Sequence, residues 1–200
     1  MKKRELTSNQ LIEAAFGLFA QHGIEKTSLA MIAKAVGISK PAIYYHFSSK
    51  EELIQRIFEY IFADYRFDHY FRIDQVDADN FGEKLYQGGL QMLPEEGEDE
   101  EHYVVMRVLN EFILTAGRTK KYEERLFSMQ HEFLDGFRDL LEKGAELGVI
   151  SPQNIEAKAH MLALVNDNIS NYMMMQFKLD YKAIWKEAVN SVLANGGKWS

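Results

Sequence analysis

The sequence predicts an all-α protein, and three observations carry that expectation. Apolar residues recur at helical spacing along most of the chain, no segment reads as a convincing strand, and only Pro41, Pro94 and Pro152 interrupt 200 residues. With 46% hydrophobic and 26% charged residues, the composition is that of an ordinary globular chain with enough material for a sizeable core.

The first helix is expected over about 7–21, where Thr7 can form a capping box with Gln10 and Leu11, Ala15, Leu18 and Phe19 form the buried stripe. Leu29, Ile32, Ala33 and Val36 then repeat at i, i+3, i+4, i+7, a second, short helix that Thr27 or Ser28 can cap. Gly37 ends it, because only glycine enters the left-handed conformation without steric cost. Ser39 opens a third helix, with Ile38 and Ile43 placed to form a hydrophobic staple and Pro41 in the first turn, where no N–H partner is needed. Phe47 reads as core. Ser48 or Ser49 with Glu51 or Glu52 makes a capping box for a fourth helix running into the sixties, carrying Leu53, Ile54, Ile57, Phe58, Ile61 and Phe62.

Two short helices joined by a glycine turn make a helix-turn-helix, whose second helix can enter the major groove of DNA. Lys40, Ala42, Tyr44, Tyr45 and His46 on that helix supply donors, a small side chain and aromatic tips able to bond phosphates. The charge distribution agrees. The net charge of −7 alone argues against nucleic acid, but residues 1–50 hold seven basic side chains against three acidic ones, a balance of +4. The remaining 150 residues therefore carry −11.

Beyond a polar stretch at 74–80, a helix is expected over 81–93, weakened by Gly82, Gly88 and Gly89. An acidic loop follows at 94–101, read as a solvated, self-repelling run, and then helices at about 102–115, 122–147, 154–177 and 181–193. The 154–177 segment is apolar around much of its circumference, so one side should face the body and another a partner, with Leu162 and Val165 expected at the partner face.

Several chemistries are excluded or unsupported. The chain has no cysteine, so disulfides, thiolate metal sites and cysteine nucleophiles are ruled out. No nucleophile elbow, glycine-rich phosphate loop or metal-ligand set is present, which argues against an enzyme and against any cofactor. His131 and Asp135 lie one turn apart, but two ligands do not make a metal site. No apolar run reaches membrane-spanning length and no signal-peptide pattern follows the basic first residues, so a cytoplasmic location is expected.

The stretch from Leu11 to Leu53 resembles the N-terminal domain of the tetracycline-repressor (TetR) family of bacterial transcriptional regulators. The resemblance rests on the Ala14–Ala15 and Leu18–Phe19 pairs of the first helix, the Gly23 turn, Thr27, the Ile32–Ala33 pair and the Gly37–Ile38–Ser39 turn. The Ile43–Tyr44–Tyr45–His46–Phe47 run and Lys50 complete the pattern, all at consistent spacing. Beyond Ile54 the chain is similar to the family only in length and helical character. The resemblance implies a helix-turn-helix domain over 1–50 and a helical effector-binding and dimerisation domain over 51–200. It assigns DNA contacts to Thr27, Ser39, Lys40, Pro41, Ala42, Tyr44, Tyr45, His46 and Lys50. This third helix carries no Arg, Asn or Gln, so among strong base readers it has only Lys40.

The implied function is a regulator, most often a repressor in this family, binding an inverted-repeat operator as a homodimer. Its last two long helices would pair as a four-helix bundle across a two-fold axis, and an effector would release the DNA. An activator of the same family, or a helical small-molecule binder without specific DNA binding, are the alternatives. The effector is expected to be a small apolar molecule between the 81–93 and 154–177 helices. Its lining is expected among Tyr86, Met92, Tyr103, Met106, Phe112, Phe133, Met161 and Tyr172, with Asn110, His131 or Asn166 supplying hydrogen bonds. The same apolar residues serve equally as packing or dimer core, and the three glycines of the 81–93 helix are expected to make it a soft gate.

Overall fold

A computed structural model of the chain describes residues 2–61, 65–93 and 120–193. Its helices are α1 (Lys2–His22), α2 (Leu29–Val36), α3 (Lys40–His46), α4 (Lys50–Ile61), α5 (Phe67–Tyr70), α6 (Phe81–Met92), α7 (Lys120–Glu146), α8 (Ile155–Met174) and α9 (Tyr181–Val192). A 3₁₀ turn at Ile73–Gln75 and a single antiparallel bridge between Ile150 and Leu193 complete the described elements, and no strand occurs among them. The fold is all-α, as the periodicity predicts. The described residues fall into two compact units, 2–61 with 120–123, and 65–93 with 124–193. The acidic loop at 94–101 and the helix expected at 102–115 lie outside the described residues.

In the first unit α1 begins at Lys2, so Thr7 sits inside the helix and does not cap it, contrary to the sequence expectation. Leu11, Ala15 and Phe19 of α1 meet Ile32, Ile43, Phe47, Leu53 and Ile57 in a buried core. The open cap choices resolve on hydrogen bonds. Ser28 caps α2, its hydroxyl accepting from Met31 N at 3.3 Å, and Ser39 caps α3, accepting from Ala42 N at 3.3 Å. Each such cap contributes about 1 kcal/mol relative to alanine. Gly37 takes φ 78°, and the Ile38 N–H closes back onto Ala33 O at 2.9 Å, so the glycine both stops α2 and aims the chain into α3. At the next junction Ser49 Oγ accepts from Glu52 N at 3.1 Å, while a Glu52 oxygen accepts from Ser48 N at 2.8 Å and Ser48 Oγ at 2.6 Å. These hydrogen bonds, the hydroxyl's first, hold the Glu52 carboxyl below the ordinary carboxylate range.

The core of the second unit is aromatic. Phe67 stacks on Phe71 at a ring separation of 4.7 Å, and both meet Phe137 edge-on or tilted at 5.2 and 5.1 Å. Glycines make this close packing possible. A methyl group on Gly89 would sit 2.2 Å from the Trp185 ring, one on Gly88 2.4 Å from Phe71, and one on Gly136 2.3 Å from Phe67. The expectation that Gly88 and Gly89 soften α6 is therefore corrected: both are buried, and each is a notch that seats a ring. Two side chains then fasten α6 in place. Trp185 Nε1 donates to Tyr86 O at 2.9 Å, and Asn166 Nδ2 donates to Gly89 O at 3.0 Å, a carbonyl at the end of α6 that the helix itself cannot satisfy.

Two alanine substitutions separate the two roles of a helical glycine. A methyl group added at Gly17 in α1 would have no atom within 4 Å, so Gly17→Ala is expected to gain about 1 kcal/mol from helix propensity alone. Gly89→Ala is expected to lose roughly 1–3 kcal/mol by overpacking against Trp185. Urea unfolding of the full chain measures both, and a gain at Gly89 equal to that at Gly17 contradicts the notch.

Candidate nucleic-acid interface

The caps and the Gly37 turn leave α3 with one buried side chain, Ile43, and an outer face open to solvent. On that face Ser39, Lys40 and Pro41 are exposed, Ala42 is half-buried, and Tyr44 and Tyr45 are 49% and 69% exposed. Six of the nine residues assigned to DNA contact are thus brought onto one short helix and its cap, where a cation, two phenols and a hydroxyl can reach phosphate or base edges.

The other three are engaged within the unit. Thr27 is 1% exposed, and its hydroxyl lies 2.9 Å from Gly23 O and 3.2 Å from Leu18 O. The assignment of Thr27 to DNA contact is not what its side chain does in this structure: it ties the end of α1 to the start of α2. His46 Nδ1 lies 3.2 Å from Ser8 Oγ, joining the end of α3 to α1. Lys50 Nζ donates to Glu25 O at 3.0 Å, joining the first turn of α4 to the turn after α1. Ser8 and Glu25 carry no local signal of these roles, since their partners lie 38 and 25 residues away in sequence.

The expected effector residues that the structure describes do not come together in one pocket. Tyr103, Met106, Asn110 and Phe112 lie outside the described residues. Phe133 is buried in the core, with Tyr65 at 4.7 Å and Phe67 at 5.8 Å between ring centres. Asn166 is buried and committed to Gly89 O. Tyr86 and Met92 pack against the core from α6. His131 is exposed, its Nδ1 2.8 Å from Phe127 O, and Asp135 pairs with Arg138 at 2.8 Å. No group of three or more His, Asp or Glu side chains placed to hold a metal ion occurs among the described residues. Met161 and Tyr172 instead line an open apolar groove of about 660 Å³ between α8 and α9, together with Leu164, Val165, Leu179 and Ile184. Leu162 is corrected here: it is 0% exposed, in the core of its own subunit, and the outer residue is Leu164, 59% exposed.

Two features had no counterpart in the sequence pattern. A mixed groove of about 480 Å³ lies beside α6, with Arg72, Gln75, Lys84 and Gln87 above Phe71 and Leu85. Half-buried Asp167 has its carboxyl pushed up by burial, and burial first, then the Asp167 charge, pushes the Tyr65 phenol well above the ordinary tyrosine range. An ionised Asp167 therefore opposes folding at neutral pH, and that opposition falls away as the pH drops through its raised pKa.

A helical head with a capped, outward-facing second motif helix defines a helix-turn-helix protein. Residues 11–57 match the family model described as bacterial regulatory proteins, tetR family. The chain is 30% identical over 149 residues to the transcriptional repressor KstR2 of Mycobacterium tuberculosis, covering 72% of this chain and 68% of that protein. It is also 30% identical over 141 residues to the transcriptional regulator TtgR of Pseudomonas putida, 68% of this chain but only 56% of TtgR. Among solved structures, a complex of SmeT with triclosan superposes with a TM-score of 0.70 at 20% identity, covering 96% of this chain and 93% of that one. The chain belongs to the TetR family of bacterial regulatory proteins, whose members are DNA-binding regulators and not enzymes. No helix among the described residues is long and apolar enough to cross a membrane.

Proposed function

We propose that this chain is a transcriptional repressor that binds an inverted-repeat operator as a homodimer and leaves it when a small molecule binds the second unit. The observation that carries the reading is the outer face of α3, where Lys40, Tyr44 and Tyr45 stand exposed on a helix locked by its cap and its glycine turn. Relatives named as repressors, among them KstR2, support repression over activation. Residues 1–50 read the DNA, and residues 51–200 hold the effector and the partner. The effector is a small, largely apolar molecule, a class supported by the triclosan bound to the structural neighbour SmeT. Release follows from linkage: a ligand that prefers the conformation unable to bind DNA must lower operator affinity by the same coupling free energy.

Ser39, Lys40, Pro41, Ala42, Tyr44 and Tyr45 meet DNA directly, while Thr27, His46 and Lys50 hold α3 at its angle. Selection from randomised duplexes is expected to enrich a palindrome with half-sites about 34–36 Å apart or a multiple of that. Lys40→Ala is expected to relax base preference at one position of each half-site. Tyr44→Phe weakens binding evenly across sequences. Enrichment of no palindrome contradicts the reading.

The homodimer rests on the apolar surface of α8, α9 and the segment joining them, where Leu164, Tyr172, Met175, Phe177, Leu179 and Ile184 are exposed. A monomer rarely leaves so contiguous an apolar patch to water. Leu164→Glu is expected to give a folded monomer, because a charge in a desolvated interface costs several kcal/mol. Leu162→Glu, in the subunit's own core, is expected to unfold the chain. Sedimentation and circular dichroism distinguish the two, and a Leu164→Glu protein that remains dimeric places the interface elsewhere.

A further inference from the structure

The mixed groove beside α6 has residues 69–76 as one wall and the outer face of α6 as the other. Both walls are pinned. Phe71 seats in the Gly88 notch, where a methyl group on the glycine would come within 2.4 Å of the ring. Toward the start of α6, Asn80 Nδ2 donates to Gln75 O at 3.3 Å and Asn80 Oδ1 accepts from Asp77 N at 3.0 Å. Asp77 Oδ1 accepts in return from Asn80 N at 2.9 Å. Between these two fastenings the walls enclose about 480 Å³ over an apolar floor of Phe71, Leu85 and Leu140. That size falls within the roughly 300–1,000 Å³ range of small-molecule sites.

The polar groups above the floor are largely uncommitted. Glu83, Gln87 and Gln91 follow one another at i, i+4, i+8 on α6, with Lys84 on the same side of the helix. The side chains of Lys84, Gln87 and Gln91 make no hydrogen bond or ion pair among the described residues. On the facing wall Arg72 gives only Nε to Asp74, at 3.6 Å, in a pair whose side chains are 59% and 71% exposed. Exposed pairs of this kind are weak, and the two terminal guanidinium nitrogens remain as a fork for a planar anion. With His69 neutral, the groove carries two cations, Arg72 and Lys84, against one carboxylate, Glu83, a balance of +1. It lies within a segment, 51–200, whose total is −11. The sign of the charge is thus reversed at a pinned opening with an apolar floor.

We propose that this groove binds a small organic monocarboxylate. Its carboxylate is received between the Arg72 fork and Lys84 Nζ, and its apolar body lies on Phe71 and Leu85. One surplus positive charge suits one negative charge, because a dianion such as a phosphate monoester would be repelled by Glu83. An uncharged apolar molecule would strip water from Arg72 and Lys84 and give nothing back. The site shares no residue with the apolar surface of α8 and α9, and it depends on neither the operator reading nor the homodimer.

Titration of the full chain with 2-naphthoate, followed by NMR, is expected to shift the amide signals of residues 69–76 and 83–91 with a Kd of about 1 mM, ordinary for a ligand of that size. 2-Naphthamide, the same shape without the charge, is expected to bind roughly tenfold more weakly, the value of a charge-assisted hydrogen bond. Arg72→Gln and Lys84→Gln, both at exposed positions, lower the affinity for 2-naphthoate by a similar factor. Glu83→Gln raises it, a change in the direction that damage to the fold does not produce. No saturable shift, shifts centred elsewhere in the chain, equal binding of 2-naphthamide, or full affinity in both cation variants overturns the site. Tighter binding of 2-naphthyl phosphate than of 2-naphthoate at these residues overturns the choice of a monocarboxylate.

Discussion

The second unit depends on how closely α6 can approach α8 and α9, and that distance is set by Trp185 lying against Gly89. Any side chain at residue 89 would occupy the space of the indole ring. With the ring seated, its N–H reaches Tyr86 O, and Asn166 from α8 reaches the free carbonyl of Gly89. One contact thus brings an apolar ring and two polar donors onto a single turn of helix. Inside a low-dielectric core those hydrogen bonds are strong, and breaking either would strand a buried polar group at a cost of about 1–3 kcal/mol. The other ring-on-glycine contacts, Phe71 on Gly88 and Phe67 on Gly136, extend the same device across the aromatic core. With its inner side committed to this packing, α8 has its opposite side left over, and that side is apolar.

The first unit solves a different problem. It must hold a seven-residue helix, too short to be stable alone, with most of its surface exposed. Ser39 caps its start, Ile43 anchors its middle, and the hydrogen-bond contact between His46 and Ser8 ties its end to α1. Thr27 and Lys50 brace the neighbouring turns through backbone carbonyls. Tyr44 and Tyr45 are 49% and 69% exposed, the Tyr45 ring lying edge-on to His46 at 5.7 Å, so a large part of both rings is open to solvent. Their chemistry is available to a ligand outside the unit.

Much of this was legible in the sequence where the physics is local. The α2–turn–α3 segment could be read because Gly37, Ser39 and the i, i+3, i+4, i+7 stripe act within a few residues of themselves. The outer-face residues of α3 followed from the same register. What could not be read was the set of partners brought in from far along the chain. Thr27, His46 and Lys50 look equally polar in sequence whether they meet solvent or, as here, carbonyls 4 and 9 residues away for Thr27, a hydroxyl 38 away for His46 and a carbonyl 25 away for Lys50. Gly88 and Gly89 look like helix weakeners until Phe71 and Trp185 are placed against them. Leu162 and Leu164 are the same residue type two positions apart, and only the packing of α8 decides which faces inward.

The proposed role of the head depends on the outer face of α3 being the surface that meets duplex DNA. Amide hydrogen exchange of the whole chain, alone and with a selected duplex at low salt, tests it directly. Exchange is expected to slow in the head, centred on residues 39–46 and the start of α2, with the core amides of α8 and α9 unchanged. Protection confined to α8 and α9, with exchange across residues 39–46 unaltered by DNA at concentrations that saturate binding, would contradict it.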